Sequence, residues 1–418
     1  MDDKFIQKVV LLDPSKSVNE LKISELIKLV DNHPYKDKVY EAFGVDEIGD
    51  ELIKIDFIDT VYERVSYYCR NYRRHSIRAE IQHINLYQEK VLIEERLVDS
   101  IIFHFDEYII IDEVRNDLKA VARYDSKNTY LDQYKMTKYA NHLFSKGWGN
   151  LAKENIEYFK ELASRSDNYN KHKSYRLVEY KGQNYVRGIT SIEKYYEYGV
   201  DFTFVVSMLT IYEFMKSNQG VEYGIKSASL NESKLEIIIS EKGEKNAGEF
   251  GKVSTALKVS TNDLGQGSLN FLNIINVVKE NAFGFYLFPK SKNSSFDNSR
   301  IPISHTTKPK NAFVLLNDVK DILNTSDEFI KELNTLKTIN TPDELRLKIQ
   351  SKIEGPKSVF KGITALSEIF KKKIDNDITN FSKLLDMCNK AEELNIEYDL
   401  KDKLRYIISD IILYGKHS

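Results

Sequence analysis

The chain has 418 residues, of which 41% are hydrophobic and 30% charged, so it is neither disordered, collagen-like nor a bare coiled coil, and its length suits about two to three domains. Lys+Arg 61 against Asp+Glu 63 leave a formal net charge of -2, which excludes a global field drawing the protein onto nucleic acid or membrane. The two cysteines, Cys69 and Cys388, have no CxxC partner and fit a reduced cytoplasm. The acidic start Met1-Asp2-Asp3-Lys4 is not a secretory signal, and no segment approaches the ~20 apolar residues of a spanning helix. A soluble protein with no membrane partner is expected.

Residues 1 to 170 read as mainly helical. Ser17-Val18-Asn19-Glu20 has the form of a capping box, in which the Ser hydroxyl and Glu carboxylate satisfy N–H groups at a helix start. Ile48, Leu52, Ile55, Ile58, Val61, Val65, Tyr68 and Tyr72 recur at spacings of three and four and predict one helix face. Ser100–Phe105 followed by Tyr108–Ile111 fits a hairpin or a buried helix equally. Helical periodicity returns from Leu131 to Leu162 with a break at Gly147-Trp148-Gly149, and the polar stretch Ser164–Lys173 predicts a linker.

The pattern changes at Ser174. Tyr175, Leu177 and Glu179, then Lys181-Gly182-Gln183, then Tyr185 and Arg187 predict a β-hairpin. A helix follows over Phe202–Met215, then strands at Ser233–Ser240 and Thr255–Thr261 around a polar loop, Glu241–Gly251. Ala282–Pro289 reads as a strand and Lys290–Ser299 as a polar loop. From Asn311 the stripes Phe313, Leu316, Val319, Ile322, Leu323 and Leu400, Leu404, Ile407, Ile408, Ile411, Ile412 predict helices, and Thr341-Pro342-Asp343-Glu344 a capped helix start. The expected fold class is therefore α+β: a helical region at 1–170, a mixed α/β domain at 174–310, and a helical C-terminal bundle at 311–418.

The stretch Arg64–Arg78 holds five arginines and no acidic residue. On a continuous helix Arg70, Arg74 and Arg78 stack at i, i+4, i+8, with Arg73, Tyr67 and His75 beside them. Such arginines can follow phosphates while Tyr67 and Tyr72 pack or stack nearby. The alternatives are a solvated face, or one paired with the acidic residues Asp99, Asp106, Glu107, Asp112, Glu113 and Asp117. The eight histidines are scattered, so neither a metal nor a cofactor is expected. Glu232-Ser233-Lys234 beside a strand is too short a string to indicate a nuclease. Asn262–Ser268 has two glycines before an apolar run but no Gly-Lys-Ser/Thr, which predicts a tight turn with positive φ at Gly265 or Gly267.

Tyr185-Val186-Arg187-Gly188-Ile189-Thr190-Ser191, then Tyr195, Ser227–Leu235 and Val259–Leu269 are similar, in order, to segments of the phage- and plasmid-borne proteins catalogued as domain of unknown function 932. The resemblance covers about 174–306. Asn281 stands where that family has Cys-x-Asn-Gly, with Lys279 and Ala282 replacing Cys and Gly. Ile303-Ser304-His305-Thr306 stands at a run ending in His, and the arginine expected before Tyr195 is missing. The resemblance implies a mobile genetic element and no particular activity.

The expected function is a non-enzymatic nucleic-acid-binding protein acting in replication, recombination or transcription control, with Arg70, Arg73, Arg74, Arg78, Tyr67 and Tyr72 at the interface. The alternatives are a protein-interaction component or homo-oligomer, in which the same helix anchors an interface, and an enzyme whose site assembles from distant residues.

Overall fold

The computed structural model describes residues 5–93, 96–165, 172–264, 267–278, 284–288, 300–324, 330, 333, 341–372, 378 and 380–415. Its first elements are β1 (Lys8–Val9), β2 (Glu20–Lys22), α1 (Ile23–Leu26), α2 (Lys36–Phe43), α3 (Val45–Ile48), β3 (Leu52–Asp56) and α4 (Ile58–Asn71). Val61, Val65 and Tyr68 are buried along α4, as their spacing requires. The helix ends seven residues before Arg78, which corrects the expected continuous arginine face. Tyr72 turns extended, with φ -121° and ψ 92°. Its ring stacks on Tyr180 at 4.4 Å, and from Arg73 onward the backbone joins a strand ladder. A second correction concerns Ser17–Glu20. Asn19 takes φ 60° and Glu20 opens β2, while Ser17 Oγ and the Val18 N–H donate to Asp59 in the first turn of α4.

Next come β4 (Arg73–Ala79), β5 (Ile84–Ile93), β6 (Arg96–Ile110), β7 (Glu113–Ala122), α5 (Ser126–Asp132), α6 (Thr137–Ser145), α7 (Gly149–Ser164), β8 (Lys173–Tyr180) and β9 (Gln183–Thr190). One 3-10 turn, Ile81–His83, separates β4 from β5, so the two act as a single bent strand. β4 pairs with β8, β8 with β9, β9 with β7 in parallel, and β7 with β6. The pair Arg78↔Ile109 closes β4 onto β6, making a five-stranded barrel with β5 lying along β6. Phe103, Phe105, Tyr175 and Leu177 fill it, capped by Tyr130, Leu131, Phe144 and Ile156 of the helices. Each fully buried large side chain of this kind contributes roughly 2–3 kcal/mol of transfer free energy.

Of the stretch left open as hairpin or helix, Ser100–Ile110 belongs to one long strand, and the turn comes after it at Ile111-Asp112. The expected hairpin at Lys181-Gly182 forms, with φ 50° and 76°, as a two-residue type I′ turn demands. Strands on both sides of 170–174 share the barrel, so residues 73–122, expected to be largely helical, are sheet. Residues 166–171 of the expected linker, Gly265, Asn281 and 290–299 lie outside the described residues.

The chain then returns to the first sheet through α8 (Gly199–Ser217), β10 (Tyr223–Leu230), β11 (Lys234–Glu241), β12 (Lys245–Asn246), β13 (Lys252–Asn262), β14 (Ser268–Val277), β15 (Phe285–Leu287) and β16 (Arg300–Ser304). This sheet runs β15-β14-β13-β11-β10-β3-β2, with β1, β12 and β16 paired at β10, β13 and β14. Among the described residues only β3 and β10 are parallel neighbours in it. Ile237, Ile239, Leu257 and Val259 share one apolar core with α8, whereas Ile238, Ala256 and Ile274 pack with Tyr406 on the other face. Burial on both faces explains the unbroken Ile237-Ile238-Ile239 run.

The chain ends in α9 (Pro309–Asn324), α10 (Pro342–Glu354), α11 (Thr364–Phe370), α12 (Phe381–Glu393) and α13 (Tyr398–Tyr414). Thr341 and Glu344 form the expected capping box, with bonds of 2.8 and 3.3 Å. A buried charge network docks α13 on the sheet: Lys258 pairs with Glu236 (3.1 Å) and Asp402, and Arg405 with Glu392. The molecule is thus mixed α+β with helices towards both ends, and among the described residues no helix is long and apolar enough to cross a membrane.

Candidate functional site

A cleft of about 680 Å³ opens between α4, residues 28–34 and the start of β4. The helix contributes Tyr62, Ser66, Cys69 and Arg70, the junction contributes Tyr72, Arg73 and Arg74, and Glu197 and Asp201 complete the floor. Three of the sequence-predicted arginines therefore meet here although they do not share a helix.

Arg70 stays exposed, its Nε donating to the Ser66 carbonyl at 3.3 Å. Arg73 is 83% exposed and reaches only a loose contact, 3.9 Å from Glu179. Lys28 and Arg70 have no carboxylate within ion-pair distance among the described residues. The rim is consequently cationic. Arg74 differs: it lies inside the mouth and donates to the buried Asp201. Burial opposes the charge of Asp201, but Arg74 and His33 outweigh it and hold the carboxyl below its usual range. His33 stacks on Phe202, its Nε2 lies 3.0 Å from the Tyr198 carbonyl oxygen, and burial pushes its pKa down. Burial likewise pushes the Cys69 thiol up to about 12, the behaviour of an inert helix residue.

The other predicted residues lie apart. Arg78 faces Asp112 at 3.4 Å, one of the acidic residues proposed as its alternative partner. Tyr67 is exposed with the Arg64 guanidinium 5.3 Å from its ring centre. Tyr72 lines the cleft, but its stacking on Tyr180 leaves it a packing role.

Beneath the floor runs a charged seam between the barrel wall and the first sheet. Arg176 on β8 and Arg187 on β9 have side chains 3% and 0% exposed, and both pair with Glu197. Arg187 also donates to Ser233 Oγ at 3.0 Å. Tyr195 lies with the Arg176 guanidinium 4.3 Å and the His305 ring 4.6 Å from its centre. Asp263 is fully buried, and its Oδ1 stands 3.5 Å from His305 Nε2. Glu232 accepts from Tyr124 (2.6 Å) and Ser233 (2.8 Å), and burial pushes its pKa up. Lys234 turns away to Asp399 at 3.4 Å, so the Glu232-Ser233-Lys234 string does not converge on one point.

Sequence reasoning placed Arg187, Tyr195, Glu232, Asp263 and His305 only inside motif stretches, and missed Arg176, Glu197 and Asp201. One signal was available: Arg176 and Arg187 interrupt otherwise buried strands, where a charge is rare unless paired. Gly267 does not take the positive φ expected for Gly265 or Gly267; glycine is required there for steric reasons, since a Cβ would stand 2.5 Å from Asn262 Cβ. Comparison with family models, with curated proteins and with solved structures finds no match.

Proposed function

We propose that the chain binds nucleic acid, through phosphates held at the rim of the α4–β4 cleft, in the service of a phage, prophage or plasmid. The observation that carries this reading is the cationic rim: Arg70, Arg73 and Lys28 border one 680 Å³ cleft with no close acidic partner for Arg70 or Lys28 among the described residues. Three further features support it. The barrel joins its first strand to its second and fourth and its third to its fifth in parallel, the order of oligonucleotide-binding barrels. Its β6–β7 hairpin carries the exposed acids Asp106, Glu107, Asp112, Glu113 and Asp117, which disfavour phosphates there relative to the cleft. Arg187, Tyr195, Glu232, Asp263 and His305, from the segments similar to domain of unknown function 932, converge in the seam below.

Binding of labelled single-stranded oligonucleotides by anisotropy, from low to moderate salt, tests this. Affinity should fall linearly on a log–log plot, and Arg70→Ala/Arg73→Ala should lower the slope by about 1 to 2. Absent or salt-insensitive binding ends the reading. A protein partner is the second reading, favoured by Trp148, Leu151, Tyr158 and Leu162, which stand 40–58% exposed along one side of α7. A complex that survives nuclease treatment on size exclusion would favour it.

A further inference from the structure

Glu197 belongs to both halves of the site. It lines the cleft beside Arg74 and Asp201, and its two oxygens take Arg176 and Arg187. Those guanidiniums are almost wholly buried, yet Glu197 is 25% exposed and sits in the irregular stretch 191–198 before α8. The pairing leaves donors over. Each guanidinium has five N–H groups, and the Nε of both Arg176 and Arg187 lacks an acceptor among the described residues. Two buried cations share one close carboxylate, and the next acids, Asp263 and Glu232, favour the charge of Arg187 only through their field, since neither lies within ion-pair distance of it. Burial, and the mutual repulsion of the two guanidiniums, oppose the charge of both. Arg74, which has Asp201 to itself, is shifted the other way.

A phosphomonoester would supply the missing acceptors. It carries roughly -1.5 to -2 charges near neutral pH and three strong acceptor oxygens, against one charge and two oxygens for a carboxylate. Paired guanidiniums are the preferred protein partner for such a group because their planar forks match its oxygens. Glu197 both holds the pair and lines the cleft, where Lys28, Arg70 and Arg73 already favour an anion.

We propose that Glu197 is a resident substitute for a phosphomonoester, and that a terminal phosphate entering the cleft displaces it from Arg176 and Arg187. This rests on the nucleic-acid reading above and narrows it from a strand in general to a strand end bearing a phosphate. The same chemistry is offered by a free mononucleotide, so the test carries both ligands.

Calorimetric titration of the full chain at fixed salt would compare a 5′-phosphorylated single-stranded hexanucleotide, its 5′-hydroxyl twin, and a nucleoside 5′-monophosphate alone. The wild type should prefer the phosphorylated strand by about tenfold. Glu197→Gln, which removes the competing charge, should raise that preference by about another fivefold. Because Glu197→Gln leaves two buried cations uncompensated, Glu197→Asp serves beside it: the shortened carboxylate keeps the charge and loosens the hold, and should shift preference in the same direction. Equal affinity for the two strands in the wild type overturns the proposal while leaving the rim reading intact. Mononucleotide binding as tight as the phosphorylated strand supports the site and overturns the strand reading.

Discussion

At Gly199 the backbone takes φ 76°, and a Cβ there would lie 2.3 Å from Asp201 Oδ1 and 2.7 Å from Arg74 Nη1. The residue is therefore what lets the Arg74–Asp201 pair close over the first turn of α8. Gly199→Ala should cost about 2–4 kcal/mol in urea unfolding, from backbone strain and a disturbed buried pair. Glu232 behaves oppositely to Asp201. Burial raises its folded pKa above the unfolded value, so the folded state binds more protons between the two, and stability falls as pH rises through that window. Glu232→Gln should raise the melting temperature at pH 7 and lose that advantage as the pH drops below the unfolded carboxylate value. Thermal melts across pH 4 to 7 check the sign, and an unchanged difference contradicts it. Among residues, the buried charges were the least legible: the sequence shows Arg176 interrupting an apolar strand, but not the Tyr195 and Glu197 that fold against it.

The elements divide by how far their causes reach. The Lys181-Gly182 turn was legible because two residues set it, whereas the end of α4 was not. Tyr72 continues the helical spacing of Tyr68, and the ring that captures it, Tyr180, arrives more than a hundred residues later. The capping-box pattern at Ser17 misled for the same reason, since its acceptor is Asp59, outside any local window. The second tight hairpin carries a cost of its own. Ile111 takes φ 49° at the β6–β7 turn, 91% exposed, although a β-branched side chain is strained there. Ile111→Asn should stabilise the barrel by about 1 kcal/mol, because asparagine tolerates that conformation. A denaturation midpoint that falls instead would show that the isoleucine makes a contact worth more than its strain.

Across the molecule, the helical C-terminal region was legible from its stripes and caps, but its attachment was not. Lys258, Glu236, Arg405 and Glu392 are scattered charges in sequence and a buried network in space. Arg405→Ala should cost about 3–5 kcal/mol, since it strands Glu392 and Glu236 away from water. A chain truncated after residue 324 should lose solubility, because Val253, Ile275, Val277 and Leu287 of the sheet share their apolar core with the lost helices.

The insertion of the barrel into the first sheet also sets an order in time. All barrel strands lie between Arg73 and Thr190, whereas β1 must wait for β10, Lys8 pairing with Leu230 and β3 with Tyr223 and Gly224. During synthesis the barrel can close while β1 and the β2–β3 pair still lack β10. The amino-terminal segment is then held open by a finished body on its carboxyl side, and the cleft comes into being only when α8 and β10 leave the ribosome and draw the two together.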